Sequence, residues 1–265
     1  MITNTYELGG WSQSLSRAPL AGFNPIIYGM VTNLEGLTIG TAAAPGWSPA
    51  KARAPRLNGH VGPVLWAYGG GLCSPRGRPA SDAEVQRIVD VTLANDWDGV
   101  DFDDECSMDI ERVTQAMEKL KQHGKRTSYG FIAGHTYNHP ATQAGKRLND
   151  KVRQVIASGH CDRLVHYCYA TRMWTDSEIE QFVGQALERS IAHGACARQV
   201  ILALTSRGLT DHNLKLFIDQ VERLQIAGLY IWAYHELTTE HQQSLYERLG
   251  LQCEVVRAPG QMPTR

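Results

Sequence analysis

The sequence lacks the features that mark several protein classes. Its 26 basic and 27 acidic residues give a formal net charge of −1, so it has no excess of positive charge for binding nucleic acid or an acidic membrane. No apolar run approaches the roughly 20 residues of a membrane span. The start, Met1–Tyr6, has neither the basic nor the apolar region of a signal peptide. We therefore expect a protein that is cytoplasmic, is exported without a signal peptide, or has lost a leader by trimming.

One stretch, Asp96–Glu105, concentrates acidic side chains. Six of its ten residues are Asp or Glu, yet apolar residues alternate with Asp101, Asp103 and Glu105. This alternation indicates a strand with the three acids, the acid row, on one face at spacings of roughly 6–7 Å. Such a row is costly unless it lines a wet functional cavity. A solvated acidic turn and a metal site are the alternatives, although Gly99 comes too early for an EF-hand loop.

Eight segments have the composition of strands, and helical patterns separate the later ones. The strand candidates are Thr5–Gly10, Asn24–Val31, Val61–Tyr68, Gly99–Glu105, Arg126–Ala133, Arg163–Tyr169, Gln199–Leu204 and Gly228–Tyr234. Helices are predicted to start at capping boxes beginning at Ser81 and Thr175, whereas residues 34–60 predict a long irregular loop. Alternation of strands and helices indicates a parallel sheet. We predict an α/β protein with a single (β/α)8 TIM barrel over residues 1–265, irregular in its first two β/α units.

The cysteines leave their redox state open. No two of the six have CxxC spacing, which weakens zinc and thioredoxin-like interpretations. In a barrel, Cys73 and Cys106 would follow neighbouring strands at one end, and Cys161 and Cys196 would precede neighbouring strands at the other. Both pairs are hypothetical disulfides, and free thiols are the alternative in a chain without a secretion signal.

The acid stretch carries a specific motif. Residues Asp98 to Glu105 read DGVDFDDE, which resembles the DGxDxDxE signature of glycoside hydrolase family 18, the chitinases and endo-β-N-acetylglucosaminidases. Five fixed positions would match by chance on the order of 10⁻⁴ of the time in a chain this long. The fuller string is especially similar to Endo H-type enzymes, which cut N-glycans. The resemblance implies a barrel with its site at the C-terminal ends of the strands.

The resemblance also implies catalytic roles. Family 18 enzymes are substrate-assisted, because the 2-acetamido oxygen of the sugar attacks the anomeric carbon. Glu105 would be the general acid and then the base. Asp103 would share a proton with Asp101 and bind the acetamido N–H, and Tyr169 matches a family Tyr that binds the acetamido oxygen. Asp98 is expected to brace the turn into the strand and Asp104 to be structural.

Further residues are candidates for substrate binding, with plain barrel packing as the alternative. Trp232 matches the Trp that chitinases of the family place under the reacting sugar, although Endo H-type enzymes lack it. Tyr167 replaces a family Met and would form a wall of the sugar site. The family's SxGG segment is Ala67-Tyr68-Gly69-Gly70 here, so the Ser that supports the first acid is missing and another donor would have to hold Asp101. Tyr68, Gly69 and Gly70 are further candidates for substrate binding, and the glycines would let backbone approach the acid row closely.

Together these features predict a retaining endo-β-N-acetylglucosaminidase. The favoured substrate is the chitobiose core of N-glycans, and the alternatives are chitin oligomers and peptidoglycan cut after GlcNAc. A non-catalytic, lectin-like barrel is a further alternative from a different class. We expect a monomer that needs no cofactor or metal and whose partner is a GlcNAc-containing glycan or glycoprotein, with no nucleic-acid or membrane partner.

Overall fold

The computed structural model describes residues 6–12, 20, 22–33, 38–39, 62–70, 77–105 and 107–250. The strands are β1 (Glu7–Ser12), β2 (Ile26–Asn33), β3 (Thr38–Ile39), β4 (Val64–Gly69), β5 (Gly99–Asp104), β6 (Arg126–Ile132), β7 (Arg163–Tyr167), β8 (Val200–Thr205) and β9 (Gly228–Trp232). The helices are α1 (Asp82–Ala94), α2 (Ile110–Gln122), α3 (His135–Asn138), α4 (Gln143–Ser158), α5 (Asp176–Ala192), α6 (Asp211–Leu224) and α7 (Thr239–Arg248). None of these helices is long and apolar enough to cross a membrane.

The sheet closes on itself. Its strand order is β1-β9-β8-β7-β6-β5-β4-β2-β3, and an additional parallel pairing joins β1 to β2. The eight strands other than β3 pair in parallel, and β3 adds to β2 in the antiparallel direction. The described residues therefore form a closed eight-stranded parallel barrel surrounded by helices. The predicted (β/α)8 fold is confirmed.

The predicted end of the first strand is wrong in a way that matters for the site. The prediction ended this strand at Gly10, whereas β1 continues to Ser12 and so includes Trp11. Of the irregular loop predicted over residues 34–60, the structure describes only Thr38–Ile39, which is β3.

Polar side chains close the lower end of the barrel, where the strands begin. Glu7 Oε2 accepts from Arg163 Nη2 at 2.7 Å and from Arg163 Nε at 2.9 Å. The Tyr230 hydroxyl donates to Glu7 Oε1. These bonds tie β1, β7 and β9 together, and they satisfy a partly buried ion pair that would otherwise be costly. We call the Glu7, Arg163 and Tyr230 side chains the barrel floor.

The two predicted helix starts differ in detail. At α5 the capping box is complete, because Thr175 and Glu178 each bond the other's backbone N–H. At α1 the Ser81 side chain accepts from the Glu84 N–H, but the Glu84 carboxylate bonds the Ala80 N–H instead of closing the box.

A buried histidine lies between the barrel and its helices. His166, on the outer face of β7, is fully buried, and its Nε2 lies 2.9 Å from Ser190 Oγ on α5. The Ser190 hydroxyl also contacts the Tyr137 hydroxyl at 2.8 Å. Burial lowers the pKa of His166 to about 3, because the charged imidazolium would be desolvated. His166 is therefore neutral at physiological pH.

The structure tests one of the two hypothetical disulfides. Cys161 and Cys196 are free thiols, and Cys161 Sγ donates to the Arg163 carbonyl at 3.1 Å. That pair is therefore not bridged. Cys73 and Cys106 lie outside the described residues.

Candidate active site

Strand β5 carries the acid row with the predicted alternation. Asp101 and Asp103 point into the barrel, where Asp101 is fully buried and Asp103 is 4% exposed. Phe102 lies on the other face, in the apolar layer beneath the helices. Glu105 follows the strand directly, and its side chain is exposed. The acid row therefore runs from the interior of the barrel to solvent at its mouth.

Two donors hold Asp101. The Ser128 hydroxyl donates to Asp101 Oδ1 at 2.5 Å, and Trp11 Nε1 donates to Asp101 Oδ2 at 2.9 Å. Ala67 on β4 and Ser128 on β6 are the two residues paired with Asp101 in the sheet. The hydroxyl that is missing at Ala67 is thus supplied from the opposite neighbouring strand. Burial raises the pKa of Asp101, and these two hydrogen bonds lower it in part.

One oxygen of the Asp103 carboxyl group is left without a hydrogen-bond donor in the described part of the chain. Its buried Oδ1 atom has no hydrogen-bond partner among the described residues, and neither has the buried Tyr167 hydroxyl. Burial, the charge on Glu105 and the charge on Asp101 together raise the pKa of Asp103 well above its usual value. The Tyr167 hydroxyl is close enough to lower that pKa in part, although the pair falls short of hydrogen-bond geometry. A free acceptor in this position suits an N–H group of a ligand.

Glu105 is accessible to solvent and has a raised pKa. Its side chain is exposed at the mouth, but the surrounding protein desolvates the carboxyl enough to raise its pKa. A carboxylic acid that keeps its proton toward neutral pH is what a general acid requires. The charge on Glu105 also raises the pKa of Asp103, so these two carboxyl groups do not titrate independently.

Aromatic side chains surround the upper part of the barrel interior. Trp11 lies edge-on to Tyr167 with ring centroids 5.6 Å apart, and Tyr167 lies 5.9 Å from Tyr169. Trp232, at the end of β9, is 6.5 Å from Trp11. Burial and then the charges of the acid row raise the pKa of Tyr169 well above its usual value. Tyr167, Tyr169 and Trp232 therefore lie inside the barrel with Trp11, on the face of the sheet that also carries Asp101 and Asp103.

The two glycines after Tyr68 bring the backbone of β4 close to Asp103. Gly69 has φ +103°, and a Cβ there would lie 2.5 Å from the Asp103 carbonyl oxygen. The Gly70 N–H donates to the same oxygen at 2.9 Å. The predicted close approach of the backbone to the acid row is confirmed, and it requires glycine at residue 69.

The prediction that Tyr68 contacts substrate is wrong. Tyr68 is 3% exposed and packs in the outer apolar layer, where its hydroxyl donates to Glu84 Oε1 at 2.7 Å. The physical reason is strand alternation: Ala67 faces inward next to Asp101, so its neighbour in sequence faces outward.

The other two acids of the motif are structural, as predicted. Asp98 Oδ2 accepts from the backbone N–H that opens β4 at 2.8 Å. Asp104 faces outward and accepts from the Met108 N–H at 2.7 Å, the Tyr129 hydroxyl at 2.7 Å and Lys151 Nζ at 3.2 Å.

A cavity of about 550 Å³ adjoins Glu105. It lies between the ends of β5 and β6, the N-terminal half of α4 and the start of α5. Its lining combines apolar and aromatic side chains with charged ones, among them Ile132, Leu148, Trp174, Phe182, Arg147 and Glu178. Ile132 is 46% exposed, which is unusual for a side chain of its size. The apolar surface beside the candidate acid is suited to the C–H face of a sugar.

Sequence reasoning missed Trp11, Ser128 and the Trp174 wall of this cavity. A weak signal existed for Ser128, which has inward parity on the strand next to Asp101. No such signal existed for Trp174, which the packing of α5 brings to the mouth. Among the described residues, no three His, Cys, Asp or Glu side chains converge so as to hold a metal ion.

Comparisons by sequence find no relative: no protein-family model matches the chain, and no curated protein matches it. Solved structures match it in fold. The catalytic domain of a hyperthermophilic chitinase from Pyrococcus furiosus superposes with a TM-score of 0.64 at 15% identity, covering 86% of this chain and 83% of that one.

Two further structures extend this range. A fungal endo-β-N-acetylglucosaminidase from glycosyl hydrolase family 18 matches with a TM-score of 0.62 at 12% identity, covering 92% of this chain and 96% of that one. The spore cortex-lytic enzyme SleL of Bacillus megaterium matches with a TM-score of 0.60 at 10% identity, covering 92% and 73%. At such identities the likeness establishes the fold, which is the barrel found in family 18 enzymes.

Proposed function

We propose that this protein is a retaining, substrate-assisted glycoside hydrolase that cleaves β-1,4 linkages of N-acetylglucosamine. The observation that carries the proposal is the acid row itself. Asp103 has a buried acceptor without a partner among the described residues and is near enough to Tyr169 for its charge to raise the pKa of that residue, and an exposed Glu105 with a raised pKa follows at the mouth. The likeness in fold to chitinases and to an endo-β-N-acetylglucosaminidase supports it.

The chemistry proceeds in two steps. First, the acetamido oxygen forms a bond to the anomeric carbon while the bond from that carbon to the leaving oxygen breaks, and Glu105 gives its proton to the leaving oxygen. Asp103 accepts the acetamido N–H and stabilises the positive charge of the resulting oxazolinium ion, and Tyr169 donates to the acetamido oxygen. Water then attacks the anomeric carbon from the face that the leaving group vacated. As this bond forms, the bond from that carbon to the acetamido oxygen breaks and the acetamido group is restored, while Glu105 takes a proton from the water. The product keeps its β configuration.

The acid row cannot readily serve a two-carboxylate mechanism. Asp103 and Glu105 extend from one strand at a spacing of roughly 6–7 Å along it, so they approach a bound sugar from the same side. The classical schemes need carboxyl groups on opposite sides of the scissile bond. A nucleophile belonging to the substrate removes that requirement.

The proposed substrate is the chitobiose core of N-glycans. The DGVDFDDE string supports it, as does the match over most of both chains to the fungal endo-β-N-acetylglucosaminidase. Chitin oligomers are the second candidate, and the specific observation in their favour is Trp232 at the end of β9, within the aromatic group around the acid row. The cavity beside Glu105 would receive the sugar on the leaving side.

A side-by-side digest tests the proposal. Purified protein is incubated with a high-mannose glycoprotein, chitotetraose and peptidoglycan, and the products are identified by mass spectrometry. We expect glycan release from the glycoprotein, with one GlcNAc left on the protein. Cleavage of chitotetraose or peptidoglycan alone would reject the N-glycan substrate while keeping the reaction type.

Glu105→Gln separates enzyme from lectin. We expect it to reduce turnover by about 10³-fold or more, because the proton donor is lost, and to leave glycan binding intact. Glu118→Gln makes the same chemical change at an exposed position on α2 and should leave turnover unchanged. Wild-type protein that binds glycan but turns over none of the three substrates would instead support a lectin-like barrel.

A further inference from the structure

Two buried polar atoms without partners lie side by side inside the barrel. Tyr167 is 2% exposed and Asp103 is 4% exposed, and neither the Tyr167 hydroxyl nor Asp103 Oδ1 makes a hydrogen bond within the described part of the chain. A buried donor and a buried acceptor without partners each destabilise the fold, because both have lost their hydrogen bonds to water. The two groups lie close enough for the Tyr167 hydroxyl to lower the pKa of Asp103, so each is the nearest candidate to satisfy the other.

The barrel makes room for this hydroxyl at one place. Gly130 on β6 is paired in the sheet with Asp103, and a Cβ on Gly130 would collide with the Tyr167 hydroxyl oxygen. The edge-on contact with Trp11 fixes the Tyr167 ring from the other side. The hydroxyl is therefore held over Gly130, the residue paired with Asp103, and within reach of the Asp103 carboxyl group.

We propose that Tyr167 is a positioning residue for Asp103: its hydroxyl donates to one oxygen of the Asp103 carboxylate and so turns the other oxygen toward the acetamido N–H of the substrate. This role differs from the sugar-site wall that the sequence suggested for Tyr167. The expected effect of Tyr167 on turnover rests on the proposed function. The Tyr167–Asp103 pair does not, because the two groups interact whether or not a reaction takes place.

The groups around Tyr167 keep it a donor. From β5 and its end it faces the three carboxyls of the acid row, and from its own chain segment it faces Tyr169. The neighbours from β6, β8 and β1 are Gly130, Ala203 and Trp11, which carry no charge. Burial and the surrounding carboxylates raise the pKa of Tyr167 well above its usual value, so the hydroxyl keeps its proton at every pH of interest.

The first test needs no turnover. Aspartate carboxyl carbons labelled with ¹³C are titrated by NMR, and the Asp103 signal is identified by its loss in Asp103→Asn. Because the hydroxyl stabilises the ionised form, Tyr167→Phe should move the apparent midpoint of Asp103 upward by about one pH unit. Tyr167→Met repeats the test with a flexible side chain that also lacks the hydroxyl. A midpoint unchanged in the folded variants overturns the proposal.

The second test asks what the pair does for catalysis. In Tyr167→Phe the kcat should fall about tenfold with KM within about twofold of the wild type, and the acid limb of the pH profile should move upward with the Asp103 midpoint. If Tyr167→Phe raises KM and leaves kcat unchanged, Tyr167 acts as a wall of the sugar site and the proposal is overturned. Tyr137→Phe removes a buried hydroxyl that pairs with Ser190 instead, so it controls for loss of packing. A midpoint that moves in protein without any hydrolytic activity would sustain the pair and reject the proposed function.

Discussion

The hydrogen bond from Ser128 to Asp101 gives the sharpest test of how the acid row is held. Ser128→Ala removes the donor that lies 2.5 Å from Asp101 Oδ1 and leaves that oxygen buried without a hydrogen-bond partner among the described residues. An unsatisfied buried acceptor costs about 1–3 kcal/mol. We expect the free energy of unfolding at pH 7 to fall by that amount. We also expect kcat to fall about 10- to 100-fold, because a higher pKa of Asp101 changes how it shares a proton with Asp103.

The pH dependence has a definite sign. Burial already places the pKa of Asp101 above its value in the unfolded chain, and loss of the Ser128 hydroxyl raises it further. A carboxyl group with a raised folded-state pKa is tolerated when protonated and destabilises the fold as the pH rises from about 4 toward that pKa. The stability loss in Ser128→Ala should therefore be larger at pH 7 than at pH 4, as measured by urea titration at each pH.

The two neighbours of Asp101 in the sheet supply a rescue. Ala67→Ser in the Ser128→Ala background places a hydroxyl on the other side of Asp101, in register on β4, and should recover most of the lost turnover. Ser190→Ala removes an equally buried hydroxyl from the outer layer and should reduce stability without moving the pH profile of activity. Wild-type turnover in Ser128→Ala, or no recovery in the folded double variant, would refute the idea that a hydroxyl beside Asp101 sets its state.

Two further predictions concern the cavity and the outer layer. Trp174→Ala should raise KM about tenfold for an oligosaccharide that places a sugar beside Glu105, and change it less than twofold for an aryl glycoside without that sugar; equal effects on the two substrates would contradict a leaving-side site. His166→Phe should flatten the acid stability profile. The free energy of unfolding of the wild type should fall by up to about 1.4 kcal/mol per pH unit between about pH 6.5 and pH 3, because only the unfolded imidazole takes up a proton there. Thermal melts across this range check the prediction, and it is contradicted if the melting temperatures of both proteins fall in parallel.

The strand pattern foretold much of this site because alternation is a local property. Once Asp101 was assigned to the inward face, Asp103 had to share it, and the outward position of Asp104 followed. The same rule, counted from Ala67, already placed Tyr68 on the outer face. The error over Tyr68 came from carrying over a motif position without applying the alternation of the strand to it.

The remaining site residues depend on distances that no local pattern contains. Trp11 is far from Asp101 in sequence, and the first strand shows no periodicity that marks where it ends, so the donor to Asp101 was missed. Ser128 has the right parity, but a serine in a strand has many uses. Trp174 and Phe182 reach the mouth only because α5 packs across the end of β6, which is a property of the assembled barrel.

The barrel floor has a practical meaning for anyone who wishes to alter what this protein acts on. Glu7, Arg163 and Tyr230 fasten three strands together at the pole opposite the acid row. We therefore expect that segments around the mouth can be shortened, lengthened or randomised while the hydrogen bonds of the barrel floor stay intact. A library aimed at new specificities should vary the rim and leave these three positions fixed, because their hydrogen bonds hold β1, β7 and β9 together at the other end.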